Sequence, residues 1–123
     1  MEVTPLKALR AMIQCASIPD PDVSAQIIWV LLERKEVSVK DLTKELNVSY
    51  PLILRVINDL TGLGIITTSK LKVEGRGRPR KLVRISVQKL QTLLDDCRKD
   101  LDEVGRLVTS KVNTKEMASE QQS

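Results

Sequence analysis

The chain has 123 residues, enough for one compact domain with one appended element. Aromatic residues make up only 2%, one Trp and one Tyr with no Phe, so the core must be aliphatic, which favours packed helices and leaves room for help from a partner subunit. Histidine is absent, which removes the commonest metal ligand and the commonest general acid–base group, and 20 Lys+Arg against 16 Asp+Glu leave a net charge of +4.

Thr4-Pro5 reads as an N-cap with proline in the first helical position, and Leu6, Leu9, Ala11, Met12, Ile13 and Ala16 then form a helical apolar stripe. Asp20-Pro21 repeats the start signal. Val23, Ile27, Val30 and Leu31 follow at helical spacing, and Ile28, Trp29 and Leu32 widen the stripe, which predicts a central helix with Trp29 in the core. Glu36 to Val39 suits a brief strand or an extended link. Ser38-x-x-Asp41 resembles a capping box, and Leu42 and Leu46 line one face of a two-turn helix that Asn47 ends. Ser49 caps the next helix, with Pro51 tolerated in its first turn. Leu52, Ile53, Val56, Ile57 and Leu60 bury one side of it; Tyr50, Leu54, Arg55, Asn58 and Asp59 point elsewhere.

Thr61 to Gly64 ends that helix. The β-rich runs Ile65 to Val73 and Leu82 to Val87 flank a tip from Gly75 to Lys81, which predicts a β-hairpin. From Val87 the period changes again. Leu90, Leu94, Cys97, Leu101, Val104 and Val108 fall at alternating steps of four and three, the seam of a coiled coil, and predict a dimerisation helix. Gly105 in its middle signals either a close helix approach or a local weakness. The organisation expected is an N-terminal helix over 1–19 packing at the dimer interface, a central domain over 20–87, a dimerisation helix over 88–112 and a disordered tail over 113–123. Cys15 and Cys97 lie far apart in sequence with no metal-site or redox spacing and read as small buried hydrophobes.

Charge is concentrated in one place. Lys70, Lys72, Arg76, Arg78, Arg80, Lys81 and Arg84 are opposed by Glu74 alone, so residues 70–84 carry +6 and the rest of the chain −2. A polyanion-binding surface needs such a concentration; the bland alternative is a solvated hairpin tip. The element order is a helix-turn-helix followed by a β-wing. Leu46-Asn47-Val48-Ser49, Leu52-Ile53-Leu54-Arg55 and Leu63-Gly64-Ile65-Ile66 resemble the winged-helix pattern. With the leading helix and the long terminal one, the whole chain resembles the small archaeal Lrs-type winged-helix regulators, DNA-binding relatives of the MarR and ArsR groups.

The resemblance implies a mainly α fold with a small β-hairpin and a recognition helix that offers Ser49, Tyr50, Pro51, Leu54, Arg55 and Asn58 to the major groove. Arg55 matches the family's recurrent arginine and suits a phosphate or a guanine edge; a surface ion pair with Asp59 is the alternative. Ser49 and the free amides of the helix start suit a phosphate, Leu54 and Pro51 thymine methyls, and Asn58 an adenine. Arg76-Gly77-Arg78-Pro79 is identical to the core of the AT-hook, which predicts insertion of Arg76 and Arg78 into a narrow A·T minor groove, with Lys70, Lys72, Arg80, Lys81 and Arg84 on flanking phosphates.

The function expected is that of a homodimeric transcriptional regulator binding double-stranded, A·T-rich DNA, with no enzyme activity, metal, cofactor or small-molecule ligand indicated. Two alternatives stay open: an architectural, chromatin-like binder of low sequence preference, and a winged-helix protein-interaction module. No basic-then-apolar leader and no apolar run of about 20 residues is seen, so a cytoplasmic, nucleoid-associated protein is expected, away from membranes.

Overall fold

A computed structural model describes residues 5–71 and 80–122, with side chains described for 5–70 and 80–113. The elements run α1 (Pro5–Cys15), α2 (Pro21–Arg34), β1 (Glu36–Ser38), α3 (Val39–Leu46), α4 (Tyr50–Gly62), β2 (Ile66–Leu71), β3 (Arg80–Ile85) and α5 (Val87–Gln122). The strands form one antiparallel sheet in the order β1-β3-β2. This is a winged helix-turn-helix with a long C-terminal helix.

Local chemistry places the boundaries. Ser38 caps α3, its hydroxyl accepting the Asp41 amide at 3.1 Å, and Asn47 ends that helix in the left-handed conformation at φ 53°. Ser49 caps α4 in the same way through the Leu52 amide at 3.4 Å. The end of α4 explains the Leu63-Gly64-Ile65-Ile66 pattern. The Gly64 amide donates to Thr61 and the Ile65 amide to Leu60, both at 3.0 Å, with Gly64 at φ 80°. That is a Schellman cap: glycine supplies the left-handed turn, Ile65 drops into the core and Ile66 opens the strand. Ser17 closes α1 with the same pair of bonds, and Ile18 is buried behind it.

The core is aliphatic, as composition requires: Ile13, Ile27, Ile28, Leu31, Leu42, Ile53, Ile57, Leu60, Ile65, Ile66 and Val83 are buried. Trp29 is not among them. It is half-buried, because the inward arc of α2 is already filled by Ser24, Ala25, Ile27, Ile28, Val30 and Leu31. Thr4 lies outside the described residues, and Asp20 does not cap α2 with its side chain.

The C-terminal helix departs most from expectation. Leu90 joins the core, Leu94 is half-buried and Cys97 is buried, so the first half of the seam packs within the chain rather than against a partner. The Cys97 thiol reaches the Met12 carbonyl at 3.9 Å and meets the Cys15 thiol, joining α5 to α1. Burial, then the Cys15 hydrogen bond, pushes the Cys97 thiol up to about 11. Leu101, Val104 and Val108 are exposed, and Leu107 and Val112 extend the stripe they form. Among the described residues no other element comes within 4 Å of the space beside Gly105. The backbone of residues 113–122 stays helical where a disordered tail is expected, since the segment contains neither Gly nor Pro and is rich in good helix formers.

The two glycines at the end of α4 predict effects of opposite sign. Gly62→Ala raises stability by up to about 1 kcal/mol, because a helical residue with open space gains propensity. Gly64→Ala lowers it by about 1–2 kcal/mol, because the left-handed backbone strains any Cβ. Urea unfolding of both variants checks the contrast.

Candidate nucleic-acid interface

Register decides which wing side chains share a face. In β3, Val83 is fully buried against the helices; Lys81 and Ile85, two residues to either side, therefore lie on that same face. Across the ladder, Ile66 pairs with Ile85, Thr68 with Val83 and Lys70 with Lys81. The core-facing rows thus run outward from Ile66 and Ile85 to two lysines side by side. Directly opposed like charges destabilise a hairpin. Neither ammonium has an ion-pair partner among the described residues. Lys81 is a strand residue here, as is Arg80, although the sequence suggests both for the tip; pairing with Lys70 and Leu71 fixes them.

Arg84 stands apart from this cluster. It lies on the opposite face of the sheet, with Thr67 and Glu36 beside it in register, and its Nε donates to Glu36 Oε2 at 2.6 Å. The expectation that it serves flanking phosphates meets a side chain already neutralised. Arg80 shares Arg84's face and is exposed. Lys72, Arg76, Gly77, Arg78 and Pro79 lie outside the described residues.

Helix α4 presents Ser49, Tyr50, Pro51, Arg55 and Asn58 to the exterior, with Tyr50 52% exposed. Leu54 differs from expectation: it is half-buried and packs against the core. The helix start also offers fewer free amides than expected. Pro51 has none, the Leu52 amide is taken by the Ser49 hydroxyl and the Ile53 amide by the Ser49 carbonyl at 3.0 Å. What Ser49 keeps is its own O–H proton, free to be donated outward.

Arg55 bonds neither to Asp59 nor to solvent alone. Its Nη2 donates to both carboxylate oxygens of Asp20, at 3.0 and 3.2 Å. Asp20 sits at φ 50° in the link between α1 and α2, and this left-handed backbone gives its carboxylate to α4 instead of capping α2. A lost side-chain cap costs about 1 kcal/mol, and an ion pair this exposed returns about as much at best. Stability alone does not account for the arrangement. Nothing in the sequence spacing links residues 20 and 55; only the tertiary packing does.

Among the described residues no group of His, Cys, Asp and Glu is placed to hold a metal ion, and no helix is long and apolar enough to cross a membrane. No protein-family model matches the sequence, and no curated protein does. Solved structures do match its fold. A possible transcriptional regulator from Methanosarcina mazei Go1 is 16% identical with a TM-score of 0.61, over 81% of this chain and 85% of that one. The ST1889 protein from the thermoacidophilic archaeon Sulfolobus tokodaii is 17% identical with a TM-score of 0.61, over 83% and 99%. A transcriptional regulator homologue from Pyrococcus horikoshii OT3 is 21% identical with a TM-score of 0.56, over 80% and 97%. These likenesses establish the winged-helix fold across most of the chain.

The lysine pair yields a stability prediction. Lys81→Glu replaces a like-charge pair with an opposite-charge one, and urea unfolding should show a gain of a few tenths to about 1 kcal/mol.

Proposed function

We propose that the chain is a homodimeric, DNA-binding transcriptional regulator. The observation that carries this reading is the Lys70–Lys81 pair on the helix-facing side of the wing, which has no counter-charge among the described residues. A sheet that sets two ammonium groups against each other gains only if an anion lies between or over them, and a duplex backbone supplies phosphates at regular spacing. The pair leads directly into Arg76-Gly77-Arg78-Pro79, whose residue types suit an A·T minor groove. Ser49, Tyr50, Arg55 and Asn58 on α4 supply the major-groove face. The similarity of the fold to proteins described as transcriptional regulators supports the same reading.

The outer half of α5 supports the dimer. Leu101, Val104, Leu107, Val108 and Val112 leave an apolar stripe along a solvated helix, and a second copy of the same stripe is the occupant whose repeat matches it. Two wings and two recognition helices related by a two-fold axis then meet half-sites about one helical turn apart.

One observation favours an architectural reading as the second choice. With Leu54 half-buried against the core, few groups on α4 are left to read base edges. Comparing affinity for a selected duplex with that for a scrambled one separates the two; a ratio below about tenfold favours the architectural role.

The DNA reading predicts a steep salt dependence. With about six cations per dimer on phosphates, log K falls against log[salt] with a slope near −5. Lys81→Glu weakens binding by more than about tenfold at 0.1 M salt while leaving the protein at least as stable, a divergence that a purely structural lysine does not produce. A slope near zero, or an unchanged affinity in the variant, contradicts the proposal.

The dimer predicts that Val104→Asp halves the mass seen in sedimentation equilibrium without lowering helix content. A wild-type chain that sediments as a monomer at tens of micromolar overturns it.

A further inference from the structure

We propose that Asp20 is a positioning residue for Arg55, presenting its guanidinium to a base edge rather than to a phosphate and so setting the sequence discrimination of the duplex-binding face. The proposal rests on the DNA-binding reading above. An unrestrained arginine on a recognition helix is drawn to the nearest phosphate, where it adds affinity and carries no sequence information. Arg55 is not unrestrained. Its Nη2 is held by both oxygens of one carboxylate, while Nη1 and Nε have no partner among the described residues. The carboxylate compensates the charge and fixes the plane, and Nη1 and Nε each keep a donor for an acceptor on a base edge.

The mount for that carboxylate is rigid. On one side of it, Ser17 closes α1 with two backbone bonds and buried Ile18 anchors the link to the core. On the other, the Ser24 amide donates to the Asp20 carbonyl at 2.8 Å, and the fully buried Ser24 hydroxyl donates to the Pro19 carbonyl at 2.9 Å. A functional side chain is held to a productive geometry by supports of this kind. The left-handed backbone then directs the carboxylate away from α2 and across to α4. Asp59, one turn along the same helix as Arg55, is the local partner that the arrangement passes over.

Asp20→Asn tests this, because asparagine accepts the left-handed backbone and only the charge is removed. A duplex is selected from a randomised library with the full-length wild-type chain, and its affinity is compared with that of a scrambled duplex at two salt concentrations. In Asp20→Asn the ratio of the two affinities falls roughly tenfold, while the scrambled duplex binds more tightly and its salt slope steepens by about one. In an Arg55→Ala background, Asp20→Asn leaves the ratio where it was. A merely structural Asp20 would shift both affinities together and lower the melting midpoint, and that result overturns the proposal. So does an unchanged ratio, or a fall of the same size in the Arg55→Ala background. If the wild-type chain binds duplexes but selects none, Arg55 reads no base and the proposal falls while the DNA-binding reading stands; if it binds no duplex, both fall.

Discussion

The register of β2 on β3 governs how this domain closes. Val83 must face the helices to close the core, and once it does, alternation along the strands carries Lys81 and Lys70 to that same side. A slip of one residue would turn Val83 to solvent and the lysines to the far face. Core packing and the cationic surface are therefore set by one choice, and β1 fixes it further by pairing Val37 with Val83.

Charge is divided accordingly. Several arginines serve the fold: Arg10 pairs with Asp22, Arg34 with Glu45 and Arg84 with Glu36, each tying one element to another. Exposed pairs of this kind add little stability each, but they also remove those cations from the pool available to an external anion. Lys70 and Lys81 remain uncompensated among the described residues. The +6 counted along residues 70–84 thus overstates the charge on offer, because Arg84 is spoken for, and understates its focus, because the two lysines are locked side by side.

How much was legible in the sequence follows from how local each signal is. Ser38, Asn47 and Ser49 act within a single turn of backbone, and all three do in the structure what their residue types predict. The glycine pattern after α4 is equally local. What the sequence hides is the choice among distant partners. Spacing offers Arg55 the carboxylate of Asp59, and the fold gives it Asp20 from 35 residues away. The heptad seam from Leu90 to Val108 is a true periodicity, yet no periodicity says where a domain's own surface stops. Here it stops after Cys97, which packs on α1, and the stripe beyond it is exposed. Leu54 shows the same limit, since a residue at the edge of a helix's buried arc turns inward or outward according to its neighbours.

On the DNA-binding proposal, the N-terminal half of α4 and the lysine rows of the wing form one duplex-binding face. Backbone amide chemical shifts, followed while an A·T-rich duplex is titrated into the isotopically labelled chain at moderate salt, test it most directly. The largest changes are expected at Ser49, Tyr50 and Arg55 and at Lys70 and Lys81, with the α1–α5 contact around Cys97 undisturbed. Changes centred on α1 or on the Arg84 face of the sheet, with α4 and the lysine rows silent, would contradict it.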